Sequence, residues 1–171
     1  VDTATWDLAG ATFERRAELT AYCQRWAAAV VAPVGAAVPA AVDWSEWGAA
    51  LREIELLGDL ARDARAGRLR VPLAELEQAA VAPQGLAAPP WPLALAAILR
   101  GRHQALRRQL AAAVETLPAD NQQSARGLLV WTALACQASL RAERTLPHPP
   151  AASIASAAAA NWRAWRTARA A

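Results

Sequence analysis

Three acidic residues at intervals of four are the side chains of this sequence best suited to chemistry. On a continuous helix Glu55, Asp59 and Asp63 would lie on one side and drift only gradually around it. Like charges four residues apart destabilise an isolated helix by roughly 0.2–0.5 kcal/mol per pair, so a row of three needs compensation. Mg²⁺ would provide it, because this ion is usually held by one or two carboxylates and by phosphate oxygens of a substrate. The spacing therefore makes the three acids candidate metal ligands.

Arginines in the same stretch offer a second explanation. Arg52, Arg62 and Arg65 are close enough in sequence to pair with the acids and form a solvated salt-bridge face. Charge patterns on helices are usually faces of this kind. From the spacing alone, the salt-bridge face is the favoured interpretation and the metal site is the alternative.

The elements that must position these acids are predicted to be helices. The 171 residues include 48 alanines, and all 18 basic residues are arginine. Ala, Leu and Arg are among the strongest helix formers, whereas the β-branched and aromatic residues that favour strands are scarce here. An all-β or doubly wound fold is nearly excluded. The expected fold class is all-α, a helical bundle forming a single domain over residues 1–171.

Capping residues, prolines and glycines divide the chain into helices. The acids fall in the second helix, where Asp43 and Glu46 have the form of a capping box and Gly67 is a natural stop. A first helix is predicted over residues 12–32, ended by Pro33. Further helices are predicted over residues 73–80, 90–117 and 118–144, with a loop over residues 81–90 and a last helix containing Trp162 and Trp165.

Charge and cysteine content narrow the choice of partners. The net charge is only +3 and the arginines are interleaved with acids, so no nucleic acid is expected as a partner. Cys23 and Cys136 lie far apart in apolar surroundings, which predicts buried thiols in a reducing compartment and hence a cytoplasmic location. Trp162 and Trp165, beside arginines, would allow a peripheral membrane contact, although packing of that helix onto the bundle is the favoured interpretation.

The wider context of the acids resembles a known motif. Residues 48–73, GAALREIELLGDLARDARAGRLRVPL, resemble the second aspartate-rich motif of the squalene/phytoene synthase family. Residues 18–27, ELTAYCQRWA, are similar to the family's Tyr-Cys segment, and residues 117–121, LPADN, resemble the segment before its penultimate helix. The three matches follow the family's order, with family-like separations. Within the aspartate-rich motif the matching positions are Asp59, Asp63, Ala64, Gly67, Arg68 and Pro72.

This resemblance implies an all-α isoprenoid synthase fold and a prenyltransferase activity of the farnesyl- or geranylgeranyl-diphosphate type. Enzymes of the family join two prenyl diphosphates head to head, with Mg²⁺ held between two aspartate-rich helices. Carried over by position, Asp59 and Asp63 are the expected Mg²⁺ ligands, with Glu55 beside them. Tyr22 is the expected catalytic tyrosine near the carbocation, or alternatively a core aromatic with a satisfied hydroxyl.

Departures from the motif support an alteration or loss of this activity. Arg52, Glu55, Gly58, Arg62 and Arg70 stand where the family has Gln, Asn, Arg, Glu and Tyr. Arginines around the aspartates would neutralise them in place of a metal. We expect Arg52 and Arg68 to bind substrate if the protein handles prenyl diphosphates. The alternative is a helical binding or assembly module that has lost catalysis and binds a protein partner.

The first aspartate-rich motif of the family should precede the Tyr-Cys segment. Only 21 residues precede Tyr22, and Asp2 and Asp7 have neither the spacing nor the context of that motif. The sequence also contains no methionine. These features predict that the chain corresponds to the C-terminal two-thirds of a family member.

Overall fold

The computed structural model describes residues 5–6, 10, 12–149, 162 and 166. Within those residues the regular elements are helices and no strand is present, which confirms the all-α prediction. The two 3₁₀-helices span Pro83–Ala87 and Ala119–Asn121. The α-helices are α1 (Arg16–Gly35), α2 (Trp44–Gly58), α3 (Leu60–Arg65), α4 (Leu73–Gln78), α5 (Leu93–Glu115) and α6 (Arg126–Thr145).

Helix α2 is the central element, because it packs against α1, α5 and α6. Its closest approach is to α1, at Gly48. A Cβ atom on Gly48 would lie 2.7 Å from the Cβ atoms of both Ala27 and Val31, so only glycine fits there without a shift of α1. The small residues of α1 and α2 therefore fix the distance between the two helices that carry the Tyr-Cys segment and the acids.

Two tryptophans pack near the start of α2. Trp47 is 1% exposed, and its indole N–H donates to the hydroxyl of Thr132 on α6 at 2.7 Å. Trp44 stacks on Trp47 with 5.3 Å between ring centroids. A buried indole N–H needs an acceptor, so this bond fixes the rotation of α2 relative to α6. That rotation directs the charged face of α2 away from the core.

The predicted second helix is interrupted at Asp59, so the expectation of one helix over residues 43–67 is wrong. Its start is confirmed, since the Asp43 carboxylate accepts from the backbone N–H groups of Ser45 and Glu46 at 3.0 Å. At Asp59 the backbone has φ −113° and ψ 8°, outside the helical region, and α3 begins one residue later. Gly58 precedes the break, and glycine is the weakest helix former after proline.

A glycine stop ends α3 as predicted. Gly67 has φ +77°, the left-handed conformation that glycine adopts without strain. The N–H of Arg68 donates to the carbonyl of Asp63 at 2.8 Å, and that of Gly67 to the carbonyl of Ala64 at 3.0 Å. These two bonds form a Schellman motif, which folds the chain back so that Arg68 lies beside Asp63.

Other boundaries differ from the sequence predictions. Helix α1 starts at Arg16 and continues past Pro33 to Gly35, and a short 3₁₀-helix lies within the predicted loop over residues 81–90. The helix predicted from residue 118 begins only at Arg126. In the intervening segment the side-chain amide of Asn121 donates to the carbonyl of Pro39 at 2.9 Å. That contact outweighs helix propensity there, because it holds the segment against the loop between α1 and α2.

The predicted last helix falls largely outside the described residues. Trp162 and Arg166 are described, and the Arg166 guanidinium lies 4.9 Å from the centroid of the Trp162 ring. Trp165 and the remaining residues from 150 onward are not described. None of the helices in the described part of the chain has the length and apolar character needed to cross a bilayer.

Candidate functional site: an arginine-lined cleft at the α2–α3 break

The interruption between α2 and α3 opens a cleft of about 350 Å³. It brings together all three acids of the sequence prediction and both predicted substrate-binding arginines. With every group ionised it carries one net positive charge. We call this site the arginine cleft; its charged residues are Arg52, Glu55, Asp59, Arg62, Asp63, Arg68 and Arg70.

Asp63 is the most deeply placed acid of the arginine cleft, with 6% of its surface exposed. Its Oδ1 accepts from Arg68 and its Oδ2 from Arg70, both at 3.3 Å. Arg70 is equally buried, at 6% exposed. A buried carboxylate of this kind needs opposite charge and hydrogen bonds, and here both of its oxygens receive them from arginine.

Asp59 and Glu55 are more exposed, and each pairs with an arginine three residues away. Asp59 accepts from Arg62 at 2.5 Å, and Glu55 accepts from Arg52 at 3.3 Å. Burial raises the pKa of Asp59, Arg62 opposes that rise and the neighbouring charge of Asp63 adds to it. The predicted salt-bridge face is thus present for two of its three arginines. Arg65 instead donates to the carbonyl of Ala87 at 3.1 Å.

Arg52 is held in place from behind the cleft. Its NH2 group donates to the hydroxyl of Tyr22 at 3.1 Å, and its guanidinium lies 5.1 Å from the centroid of the Trp26 ring. Burial acts to lower the pKa of Arg52, but the bonds to Tyr22 and Glu55 outweigh it and raise the pKa above its ordinary value. Arg52 is therefore a fixed cation with a preset orientation.

Tyr22 lies in the core beneath the cleft. It is fully buried, packs edge-on against Phe13 at 5.4 Å, and has Arg70 over its ring at 5.8 Å. The residues that line the arginine cleft do not include it. This position matches the alternative of a core aromatic with a satisfied hydroxyl. A catalytic role for Tyr22 stays a prediction.

Two donors of the arginine cleft have no acceptor. The Nε atoms of Arg52 and Arg68 are buried and lack a hydrogen-bond partner within the described residues. An unpaired buried donor costs roughly 1–3 kcal/mol, so such atoms are uncommon in folded proteins. Both belong to arginines that the sequence analysis assigned to substrate binding.

The acids of the cleft do not fit Mg²⁺ as they are arranged. Mg²⁺ requires near-octahedral geometry and is bound through one or two carboxylates together with waters and phosphate oxygens, so guanidinium groups bonded to those carboxylates compete with it. Glu55, Asp59 and Asp63 are each bonded to at least one guanidinium. No group of three or more His, Cys, Asp or Glu side chains in the described residues is placed to hold a metal ion. The Mg²⁺ assignment therefore remains an untested prediction that this arrangement does not favour.

A mainly apolar pocket of about 230 Å³ also adjoins the α2–α3 break. It shares Asp59 and Arg62 with the arginine cleft, and the buried residues Leu57, Leu60 and Trp91 are among those that line it. A charged site and an apolar site thus meet at one helix break. Such a pair suits a ligand with an anionic head and a hydrocarbon tail.

Sequence reasoning missed the partner that buries Asp63. Arg70 was noted only as a departure from the family's tyrosine, although that departure places a cation where Asp63 needs one. It also missed the Glu53 cluster, made of Glu53, Arg16, Arg102 and Glu75. Glu53 is 4% exposed and accepts from Arg16 on α1 and Arg102 on α5. In the sequence, the one sign of this cluster was an acidic residue, Glu53, among the apolar residues of α2.

The thiols are not part of a site. Cys23 is buried as predicted, Cys136 is half-buried, and both are free. Burial first, and the charge of Glu53 second, raise the pKa of Cys23 to about 12. A thiol in that state is inert, because the thiolate is the reactive form.

Comparison with known proteins identifies the family. The squalene/phytoene synthase family matches residues 1–166 of the 171-residue chain. The match includes the residues before Tyr22, where the sequence analysis found no first aspartate-rich motif. No curated protein and no solved structure gives a significant match. Since the family match extends over most of the sequence, the chain belongs to the squalene/phytoene synthase family.

Proposed function

We propose that this protein binds a prenyl diphosphate, with the diphosphate in the arginine cleft and the first part of the prenyl chain in the adjoining apolar pocket. The observation that carries the proposal is the position of Asp59, Asp63 and Arg68. These residues match the family's aspartate-rich motif and meet in one cleft. Family membership supplies the substrate class, and the cleft supplies a place for its charged end.

The size and polarity of the two sites support placing the diphosphate in the arginine cleft and the prenyl chain in the apolar pocket. At about 350 Å³ the arginine cleft lies at the low end of ordinary small-molecule sites, which span about 300–1,000 Å³. It is lined mainly by charged groups, so it suits a headgroup better than a hydrocarbon chain. Guanidinium groups match phosphate oxygens in geometry and charge, which favours a diphosphate as that headgroup.

The same geometry favours binding over condensation. Departure of diphosphate in metal-dependent prenyl transfer relies on a Lewis acid at the leaving group. In this chain the carboxylates that would hold the metal are bonded to arginines. We propose that the protein binds its ligand without joining two prenyl chains.

Thermal melting with and without ligand tests the binding proposal. Saturation at 100 times Kd stabilises a protein by about 2.7 kcal/mol. For a domain of this size that corresponds to a rise in Tm of roughly 5–10 °C. We expect such a rise with farnesyl or geranylgeranyl diphosphate in the presence of Mg²⁺. No rise with either compound would contradict the proposal.

A release assay separates binding from turnover. We expect no diphosphate release above background when the protein is incubated with farnesyl diphosphate and Mg²⁺. Arg68→Ala should abolish the rise in Tm. Arg108→Ala removes the same charge from an exposed position on α5 and should preserve it. Mg²⁺-dependent release in the wild type, lost in Asp59→Ala, would establish catalysis instead.

A second candidate function is a non-catalytic assembly module. The observation that favours it is apolar surface near the end of α1, where Val30 is 41% and Val34 58% exposed. Exposed valines four residues apart form one stripe, which suits a helix of a protein partner. Val34→Glu should abolish association with such a partner while leaving farnesyl diphosphate binding unchanged. Retained association would rule out this stripe as the contact.

A further inference from the structure

We infer that the arginine cleft holds a diphosphate group directly, through Arg52 and Arg68, without a metal ion. This inference rests on the proposed function for the identity of the whole ligand. It goes beyond that proposal by assigning the recognition to guanidinium groups of this chain. The family pattern has neither Arg52 nor Arg70, so the arrangement belongs to this sequence.

Asp63 is bonded to arginines through both of its carboxylate oxygens. One of those arginines, Arg70, is 6% exposed. A metal that took Asp63 as a ligand would compete with these bonds for the two carboxylate oxygens. It would also add positive charge beside a buried guanidinium. The carboxylate is thus committed to holding two arginines in place.

Two arginines of the cleft keep hydrogen-bond donors that the described residues do not pair. Arg52 and Arg68 each keep a buried Nε–H without an acceptor in the described part of the chain. On each guanidinium the Nε–H lies beside a terminal nitrogen with further N–H donors, and such a pair of donors can bind one phosphate. Two parallel N–H···O bonds of this kind are the strong, bidentate form of phosphate recognition. An anion in the cleft would therefore satisfy donors that the folded chain leaves unpaired.

The net charge of the cleft and the fixed orientation of Arg52 also favour an anion. Four arginines face three carboxylates, so the cleft carries a net positive charge that favours anions over cations. Tyr22 and Trp26, which do not line the cleft, hold Arg52 from the core side, and Glu55 within the cleft accepts from it as well. Tyr22 is accordingly a positioning residue. Its hydroxyl accepts from the guanidinium that contacts the ligand.

Calorimetric titration of the full chain with inorganic pyrophosphate and with farnesyl diphosphate, each in EDTA and in Mg²⁺, tests the inference. We expect both compounds to bind in EDTA, with Kd values within about threefold of those in Mg²⁺. If farnesyl diphosphate binds only in Mg²⁺, the proposed function stands and the inference is overturned. If pyrophosphate alone binds in EDTA and farnesyl diphosphate binds in neither condition, the inference stands and the proposed function fails. If nothing binds in either condition, both fail.

Variants assign the binding to the named arginines. We expect Arg68→Ala to weaken pyrophosphate binding in EDTA about tenfold or more, as loss of a charge-assisted pair of hydrogen bonds requires. Arg68→Lys keeps the charge without the bidentate geometry, so its affinity for pyrophosphate should lie between those of the wild type and Arg68→Ala. This variant also serves as the test if Arg68→Ala does not fold. Arg108→Ala should bind as the wild type does. Equal losses in Arg68→Ala and Arg108→Ala would reduce the effect to overall charge and overturn the assignment.

Discussion

Arginine and carboxylate side chains cluster in two regions of the molecule, and the two clusters differ in how completely they are paired. In the Glu53 cluster two arginines face two glutamates, and both oxygens of Glu53 accept from Arg102 while Arg16 spans Glu53 and Glu75. The arginine cleft has four arginines and three acids, and two of its Nε–H groups lack acceptors among the described residues. The same residue types thus make a closed structural network in one place and an incomplete one in the other.

This difference is instructive because the two clusters start from neighbouring residues of one helix. Glu53 and Glu55 are two positions apart on α2, so they point to different sides of it. Glu53 faces α1 and α5, where arginines from other helices surround it. Glu55 faces the cleft, where one arginine of its own helix is its partner. A closed network stabilises the fold, whereas the incomplete one has donors left for a ligand.

The largest expected effect is the loss of stability on opening the closed cluster. Glu53→Gln leaves Arg16 and Arg102 without their shared carboxylate. Breaking a buried ion pair costs about 3–5 kcal/mol, and we expect the lower end because both arginines are partly exposed. Urea unfolding measures this, with the exposed Glu77→Gln as the control, expected within about 0.5 kcal/mol of the wild type. A loss under about 1 kcal/mol would mean that the cluster is not a closed network.

The next largest expected effect is a pH dependence of the stability, which a second closed cluster causes. His103 is 2% exposed and bonds to Ser139 at 2.9 Å, and Arg107 donates to both Ser139 and Glu143. Burial, and then the charge of Arg107, lower the pKa of His103 to about 4, while Glu143 opposes the shift. The folded state therefore binds fewer protons than the unfolded state between about pH 4 and 6.5. The stability that His103 contributes is complete above pH 6.5 and is lost as the pH falls toward 4.

The expected size follows from the linkage between pKa and stability. One pKa unit corresponds to about 1.36 kcal/mol, so we expect His103 to account for about 2 kcal/mol of lost stability between pH 7 and pH 5. Urea unfolding at the two pH values, for the wild type and for His103→Gln, measures it. The variant should lose less stability than the wild type over that interval. Equal losses would show that His103 is not held neutral in the folded protein.

The smallest expected effect lies in the arginine cleft. Burial raises the pKa of Asp59, so the folded state binds a proton more readily there than the unfolded state does. The stability linked to Asp59 is present at low pH and is lost as the pH rises through the folded pKa. Asp59→Asn removes that loss. We expect a gain of less than about 1 kcal/mol at pH 7, since Asp59 is 43% exposed and its pair with Arg62 contributes little.

Comparison of the stability of the wild type and Asp59→Asn at two pH values checks the sign of this effect. The gain should be present at pH 7 and smaller at pH 4, because burial raises the pKa of the wild-type carboxyl and that carboxyl takes up its proton as the pH falls. A loss of stability at pH 7 would show that the pair with Arg62 outweighs the burial of the charge.

The sequence predicted those features of the fold that depend on local patterns. The cap at Asp43, the stop at Gly67 and the all-α class follow from residue types within a few positions, and the structure confirms them. The break at Asp59 was not predicted, because the helical spacing of apolar residues continues through it. Gly58 was the only local sign, and a glycine inside a helical pattern is often tolerated.

The side chains that the sequence analysis named as metal and substrate ligands lie together, but their pairing was missed. Glu55, Asp59, Asp63, Arg52 and Arg68 line one cleft, and the roles assigned to them stay predictions. The pairing of Asp63 with Arg70 and of Glu53 with Arg102 depends on how the chain folds back on itself. Charge alone does not specify which of 18 arginines meets a given acid.

The effect of Asp59→Asn on the affinity for inorganic pyrophosphate, measured in EDTA and in Mg²⁺, tests the central claim most directly, because the two accounts of the cleft predict opposite signs. If arginines hold the diphosphate, removing a carboxylate and releasing Arg62 should tighten binding, by about threefold or more in calorimetric titration. If the acids hold the diphosphate through Mg²⁺, the wild type should bind only when Mg²⁺ is supplied and Asp59→Asn should bind more weakly. Tighter binding without metal is the result that the structure predicts, and weaker, Mg²⁺-dependent binding would contradict it.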